Sequence, residues 1–113
     1  MDYSKFLGTW MNTYRSGHVI DQFKLIEENG TLMIQVQVSG TTNSWGRVPA
    51  KIYVAANMPD KIAGFEVLYD LEASRHLLSI NENKGLLVAA GFHNDKKNTD
   101  RQPYFSREFF YKT

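Results

Sequence analysis

The feature that most constrains the fold is the alternation of apolar and other side chains in TLMIQVQV, residues 31–38. Every second residue from Leu32 to Val38 is apolar, and Gln35 and Gln37 lie between them. A period of two over such a stretch is the signature of a half-buried β-strand. Helical periodicity is absent from almost the whole chain. The sequence therefore predicts an all-β protein.

Similar segments recur between turn signals along the 113 residues. They predict eight strands, at residues 5–13, 20–28, 31–39, 48–56, 63–72, 75–81, 86–93 and 104–112. The spacing leaves no room for a crossover helix, which favours an antiparallel meander. Eight strands in this order can close, and closure removes both sheet edges. The sequence predicts one domain, residues 1–113, folded as a single eight-stranded antiparallel up-and-down β-barrel.

Three turns predict which residues share a face of the sheet. Asn29-Gly30 is typical of a type I′ turn, in which both positions need positive φ. It predicts the pairs Leu25–Ile34, Phe23–Val36 and Asp21–Val38. A type I turn over ENKG predicts the pairs Ile80–Val88, Leu78–Ala90 and His76–Phe92. A turn at Ala73-Ser74 predicts the pairs Leu71–His76, Tyr69–Leu78 and Val67–Ile80.

The opening stretch GTWMN, residues 8–12, followed by a complete meander, resembles the calycin barrels: lipocalins, fatty-acid-binding proteins and the avidin–streptavidin family. The streptavidin form of the motif is especially similar, with Gly-Thr-Trp, one residue and then Asn. The resemblance implies that Trp10 closes one end of the barrel and that Arg107 packs against it. Both residues would then be structural; for Arg107, a plain surface charge is the alternative. Asn12 matches the avidin-type residue that reaches the ligand carbonyl.

The polar partners of an avidin-type biotin site are missing from the sequence. Val36 and Val38 stand where that family carries a tyrosine and a serine. A biotin urea buried against valines would lose hydrogen bonds worth roughly 1–3 kcal/mol each. The resemblance therefore implies a barrel but not biotin as its ligand.

The long connections gather at one end of the predicted barrel, which we call the mouth. In a meander the odd-numbered connections share an end, and these include the loops 14–19, 40–47 and 94–103. They are rich in Gly, Asn and Asp and carry a surplus of basic residues, whereas the tight even-numbered connections are acidic. A basic mouth over an apolar interior suits a ligand with an apolar body and an anionic or polar head.

The candidate ligand-binding residues share a place near the mouth or on the predicted interior face. They are Asn12, Tyr14, Asp21, Phe23, Val36, Val38, Trp45, Arg47, Phe65, Tyr69, His76 and Phe92. Asp21, Tyr69 and His76 are also candidate catalytic residues if the protein is an enzyme, because partial burial raises the pKa of a carboxyl towards the range useful for proton transfer. The alternatives stay open: Asp21 as a cap on loop amides, His76 as a hydrogen-bonded rim residue. Trp45 is either a lid over the mouth or a contact to a neighbouring subunit.

Composition excludes several other classes of function. Thirteen Lys and Arg against twelve Asp and Glu leave a net charge of +1, which argues against nucleic acid as a partner. Without any cysteine, thiolate zinc sites and cysteine nucleophiles are excluded. The histidines lack the spacing of a metal site, and no cofactor is predicted. No apolar run reaches the ~20 residues of a membrane span, and no signal peptide is recognisable, so a cytoplasmic protein without membrane insertion is expected.

Three functions compete at this point. The first is binding of a small, mainly apolar ligand with a polar or anionic head in the barrel interior, entered through the mouth. The second is a small cyclase or isomerase of a biosynthetic pathway that uses the same cavity, since holding reacting atoms in place accelerates a reaction. The third is a structural or lectin-like barrel. A homodimer through outward-facing Met33, Tyr104 and Phe110 is also an expectation.

Overall fold

The computed structural model describes residues 1–40 and 43–113, and within them the protein has nine β-strands and no helix. The strands are β1 (Gly8–Asn12), β2 (Ile20–Glu28), β3 (Thr31–Val38), β4 (Ser44–Pro49), β5 (Lys51–Ala55), β6 (Met58–Asp70), β7 (Ser74–Asn83), β8 (Leu86–Asp95) and β9 (Tyr104–Lys112). All pairings between neighbours are antiparallel, in the order β4-β3-β2-β1-β9-β8-β7-β6-β5. The predicted all-β meander, nearly closed into a barrel, is confirmed.

The difference from eight strands arises where one predicted strand, 48–56, bends at Ala50. The part before the bend, β4, pairs with β3, and the part after it, β5, pairs with β6. Pro49 ends the first part because proline has no backbone N–H to donate to a ladder. Among the described residues no backbone ladder joins β4 to β6. We call this line between β4 and β6 the seam.

Apolar side chains fill the interior. The ring centroids of Phe23 and Phe110 lie 4.7 Å apart, and those of Phe6 and Phe65 lie 5.0 Å apart, both edge to face. Trp10 is 3% exposed, and its indole N–H donates to the Phe6 carbonyl at 2.8 Å. Burial of Trp10 agrees with the structural role that the resemblance implies, and its indole is satisfied by the protein's own backbone.

The Asn29-Gly30 turn forms as predicted. Its two residues have φ values of 52° and 81°, as a type I′ turn requires. Phe23 pairs with Val36 and Leu25 with Ile34. The prediction fails further along the same hairpin, where Val38 pairs with Ile20 instead of Asp21 because a bulge lies between Ile20 and Gln22.

The β7–β8 turn differs from the prediction by one residue. Lys84 and Gly85, with φ values of 53° and 83°, form a two-residue turn rather than the last part of a four-residue one. His76 consequently pairs with His93, not with Phe92. A one-residue slip exchanges the two faces of a strand, so His93 turns inward and Phe92 turns outward.

The β6–β7 turn differs from the prediction by two residues, which leaves the faces unchanged. Tyr69 pairs with His76, Val67 with Leu78 and Phe65 with Ile80. All six side chains are buried, as the predicted shared apolar face requires.

Candidate functional site at the mouth

Four ring side chains from four strands meet at the mouth. These residues, which we call the mouth cluster, are Trp45 of β4, His76 of β7, His93 of β8 and Tyr104 of β9. The Trp45 indole stacks on the His76 imidazole, with centroids 3.8 Å apart and planes 13° from parallel. His93 stacks on Tyr104 at 4.6 Å, and the two imidazole centroids are 5.0 Å apart. Each residue lies near the end of its strand that faces the long loops.

The two imidazoles form the centre of a continuous hydrogen-bond chain. His76 Nδ1 lies 2.8 Å from His93 Nδ1. The outer nitrogens reach two hydroxyls: His76 Nε2 lies 2.8 Å from Ser74 Oγ, and His93 Nε2 lies 2.7 Å from Ser106 Oγ. Because one Nδ1 must donate and the other accept, the two neutral rings hold opposite tautomers. All the bonds in the chain therefore run in one direction, ending on a serine hydroxyl at each side.

Both imidazoles are neutral at pH 7. Burial lowers the pKa of His76 to about 4, with a smaller contribution from the neighbouring His93. Burial also lowers the pKa of His93, assisted by the positive charge of Arg101. That guanidinium lies 4.4 Å above the Tyr104 ring, at the outer side of the cluster. The site thus combines uncharged imidazoles with one nearby fixed cation.

Tyr69 joins the two sides of the seam. Its hydroxyl is shared between two backbone carbonyls, Gly46 O at 2.9 Å and Ile34 O at 3.1 Å. Burial raises the pKa of the Tyr69 phenol well above its usual range. A phenol that is bonded to two carbonyls and hard to ionise acts as a structural link, not as a ready proton donor. Its ring lies 5.3 Å from the Trp45 indole and contributes to the floor beneath it.

A buried carboxylate holds the loop between β1 and β2. Glu108 is 6% exposed, and its two oxygens accept the backbone N–H groups of Val19 at 2.7 Å and Ile20 at 3.1 Å. Asn12 acts beside it: its side-chain amide donates to Ile20 O at 2.8 Å and accepts from the Tyr14 backbone N–H at 2.8 Å. The Asn12 amide and the Glu108 carboxylate thus have partners within the protein, whereas His18 Nδ1 in the same loop is buried without a hydrogen-bond partner among the described residues.

Replacing Glu108 by glutamine is expected to lower the free energy of unfolding by about 1–3 kcal/mol. The amide keeps one acceptor oxygen but turns a donor towards one of the two N–H groups, leaving it buried and unpaired. Urea unfolding followed by circular dichroism measures the change. Glu27→Gln, at an exposed residue of β2, is the matched control and should change stability by less than about 0.5 kcal/mol. Equal effects of the two substitutions would contradict the role given to Glu108.

Asp21 does not take the interior position that the register prediction gave it. The bulge at the start of β2 puts Ile20, 1% exposed, on the interior face. The Asp21 side chain is 45% exposed and pairs with His18, whose Nε2 lies 3.1 Å from Asp21 Oδ1. The predicted pairing of Asp21 with Val38 on the interior face is therefore wrong, because one extra residue in the strand changes the face.

The structure distributes the other predicted residues over three places. Phe23, Val36 and Phe65 are packed in the core, at 1%, 0% and 3% exposure, and Val38 is partly buried near the mouth. Tyr14, Phe92, Arg47 and Arg107 are exposed. Arg47 pairs with Glu28 and contacts Gln35 on the outer wall. Arg107 lies 4.9 Å above the Phe109 ring, so the implied packing against Trp10 is not the contact observed.

Sequence reasoning brought together Trp45, Tyr69 and His76 but missed their partners. His93, Ser106 and Tyr104 share the interior face only in the observed register of the hairpins. Reading Lys84-Gly85 as a type I′ turn would have placed His93 beside His76, so this signal was present in the sequence.

The described residues hold no group of three or more His, Asp or Glu side chains placed to bind a metal ion. They also contain no helix long and apolar enough to cross a membrane. A groove of about 560 Å³ lies at the other end of the barrel, where Phe6 and the β5–β6 turn meet. Its lining combines apolar residues such as Phe6 and Ile62 with the charged side chains of Asp2, Lys5, Asp60 and Lys61.

Comparisons of the chain with protein-family models, with curated proteins and with solved structures give no match.

Proposed function

We propose that the protein binds a small molecule with a flat, mainly apolar body and one polar or anionic head, and that it does so at the mouth cluster. The observation that carries the proposal is the Trp45 indole lying flat on His76 at 3.8 Å. An indole is itself a flat apolar body with one polar atom. Its contacts with His76 and Tyr69 define a surface on which a flat group of this kind can stack. The ligand would take the place of the indole.

The setting of Trp45 supports exchange of the indole for a ligand. β4 has a strand partner on one side only, β3, and that pairing is interrupted by a bulge beside Trp45, between Val36 and Gln37. A strand held on one side opens at a lower free energy than one held on both. The side chain is only partly buried, so it can leave the stack towards the solvent.

The charges at the mouth support a polar or anionic head group. Arg101 stands over Tyr104 at the outer side of the cluster, and its Nη1 lies 4.0 Å from Asp95 Oδ2, a long separation for an ion pair. The imidazole chain ends on the hydroxyls of Ser74 and Ser106. One of them donates its proton to an imidazole, and the other accepts from an imidazole and keeps its own proton free to donate to a ligand. A carboxylate bound there would meet one guanidinium and one hydroxyl donor, a combination that favours anions.

Because side chains fill the interior, we propose that the ligand binds at the mouth and not in the deep interior of the barrel. Phe23, Phe110, Leu78 and Ile80 are each at most 1% exposed, and their side chains occupy the space between the walls. Small eight-stranded barrels are near the size at which side chains fill the lumen. The buried Trp10 and the meander also support the proposal that this chain is a calycin-type carrier barrel.

Binding is tested with a series of flat aromatic carboxylates and their uncharged amides. Ligands are expected to change the fluorescence of Trp45 saturably, while buried Trp10 supplies a constant background, and to shift the imidazole NMR signals of His76 and His93. Trp45→Ala removes the competing indole, so it should bind the same ligands at least as tightly. Arg101→Gln should weaken carboxylates about tenfold relative to amides. If no compound at millimolar concentration shifts the imidazole signals of either the wild type or Trp45→Ala, the proposal is wrong.

An enzyme that moves a proton on the same ligand is the second candidate. The observation that favours it is the one-directional chain from Ser74 through His76 and His93 to Ser106, because exchanging both tautomers passes a proton taken up at one serine to the other. Deuterium uptake from D₂O into a bound ligand with an acidic C–H would show it. Uptake that is unchanged in a His76→Asn/His93→Asn double variant would exclude it.

A further inference from the structure

A row of four apolar side chains crosses the outer face of β6, β7, β8 and β9. The cross-strand pairs are Leu68–Leu77, Leu77–Phe92 and Phe92–Phe105, so the four side chains are direct neighbours on one face. We call them the outer row. Leu68, Phe92 and Phe105 are 43%, 52% and 57% exposed. Scattered exposed apolar residues need no explanation, but a contiguous row on a sheet is typical of an interface.

The two aromatic members of the row are ordered against each other. The rings of Phe92 and Phe105 lie 5.3 Å apart at an interplanar angle of 57°. This pair places two large rings in contact on the β8–β9 half of the row, and aromatic residues are enriched in the buried cores of interfaces.

Charges beside the outer row have an arrangement that is complementary to itself. The next row of outward residues, towards the end of the barrel away from the mouth, runs Glu66, Ser79, Ala90 and Arg107. An acidic residue stands at its β6 end and a basic residue at its β9 end. On the mouth side, Asp70 occupies the β6 position and pairs with Lys96.

We propose that the outer row is the interface of a homodimer whose twofold axis runs parallel to the strands, between β7 and β8. This rotation brings β6 of one protomer over β9 of the other. Leu68 then meets the partner subunit's Phe105, and Leu77 meets the partner subunit's Phe92. Glu66 meets the partner subunit's Arg107, and the symmetry makes this ion pair twice.

The charges select this axis over the other twofold arrangement of the same surface. An axis running across the strands, along the outer row, would place Glu66 against the partner subunit's Asp70, an acid that Lys96 already pairs. Glu66 would then face an acid instead of the basic residue that the parallel axis supplies, which is the less favourable arrangement. The parallel axis instead pairs opposite charges at the two ends of the row that runs from Glu66 to Arg107. The apolar outer row then lies beside these ion pairs, and apolar contacts flanked by polar ones are usual in a specific interface.

The inference replaces the dimer surface expected from the sequence. Phe110 is 0% exposed inside the barrel, and Tyr104 is stacked on His93 in the mouth cluster. Only Met33 of the three predicted residues remains on the outer wall, on β3. The correction has the same cause as the His93 result, because the observed register turns Phe92 outward.

Sedimentation equilibrium of the full chain tests the dimer. The wild type is expected to be dimeric at 100 µM, and Phe92→Glu to be monomeric with an unchanged far-ultraviolet circular dichroism spectrum. Tyr14→Glu, at an exposed aromatic residue of the loop between β1 and β2, is the matched control and should stay dimeric. A wild type that is monomeric at 1 mM, or a dimer that Phe92→Glu leaves intact, overturns the proposal.

A charge exchange tests the direction of the axis. Glu66→Arg and Arg107→Glu should each raise the dimer dissociation constant about tenfold, because each puts like charges together twice. The double variant Glu66→Arg/Arg107→Glu restores opposite charges and should return to within about threefold of the wild type. If the double variant is as weak as either single one, the proposed axis is wrong.

Discussion

Lowering the pH from 7 to 4 is expected to reduce the free energy of unfolding by up to about 3 kcal/mol through the mouth cluster alone. Burial holds the pKa of folded His76 at about 4, against 6.5 in the unfolded chain. Between these values the unfolded state binds a proton that the folded state does not, so stability falls as the pH falls. His93, whose pKa is also lowered, acts in the same direction.

Between pH 6.5 and 4 the loss of stability caused by the imidazoles can be distinguished from the loss caused by protonation of carboxylates. The pKa values of Asp70 and Asp95 are lowered by hydrogen bonds, to Lys96 and to loop amides respectively, so the stability they contribute is lost only below about pH 4. Urea unfolding at half-unit pH steps measures the slope. A His76→Phe/His93→Phe variant should flatten it. A wild-type stability that is constant across this window would contradict the neutral, buried imidazoles.

Replacing Gly91 by alanine is expected to lower the free energy of unfolding by about 2–3 kcal/mol. Gly91 lies two residues before His93 on the interior face of β8. A Cβ added there would lie 2.5 Å from His93 Nε2 and 2.8 Å from Ser106 Oγ, and these two atoms form a hydrogen bond with each other. The His93 ring is 0% exposed and confined between His76 and Tyr104, so it cannot move aside without breaking the hydrogen-bond chain.

A second substitution distinguishes this clash from an effect on the strand itself. His93→Ser removes the ring, so adding Gly91→Ala to a His93→Ser background should change stability by less than about 1 kcal/mol. Ala90→Ser, on the outward face of the same strand, is the control for the backbone. Thermal and urea unfolding of the wild type and the four variants measure these differences. An equal loss from Gly91→Ala in both backgrounds would show that contact with His93 is not the cause.

Turn chemistry determined how much of the fold could be predicted. Asn29-Gly30 admits few conformations, and the hairpin around it formed with the predicted pairs Phe23–Val36 and Leu25–Ile34. The segment ENKG fits both a four-residue and a two-residue turn, since Lys84 can adopt positive φ before Gly85. Propensity favours neither reading strongly, and the packing of Leu87 and Ala89 in the core decides between them.

The site was harder to predict than the fold because it depends on small irregularities of register. A bulge at Asp21 and another beside Trp45 change which side chains face inward, and a bulge leaves no clear mark in an alternating sequence. Glu108 reads as an outward residue of a charged strand, and only the loop amides of Val19 and Ile20 explain its burial. Such partners are distant in sequence and meet only after the barrel forms.

Because of the seam, the width of the mouth and the exposure of the imidazoles beneath Trp45 change together. Trp45 is on the β4 side of the seam, whereas His76 and Tyr69 are on the β6 side. Any movement that parts the wall here without unpairing a strand must separate the indole from His76 and break the bond from Tyr69 to Gly46 O. Opening of the barrel at the seam and uncovering of the imidazoles are therefore the same movement. The hydrogen bond from Tyr69 to Gly46 O and the stacking of Trp45 on His76 both oppose it.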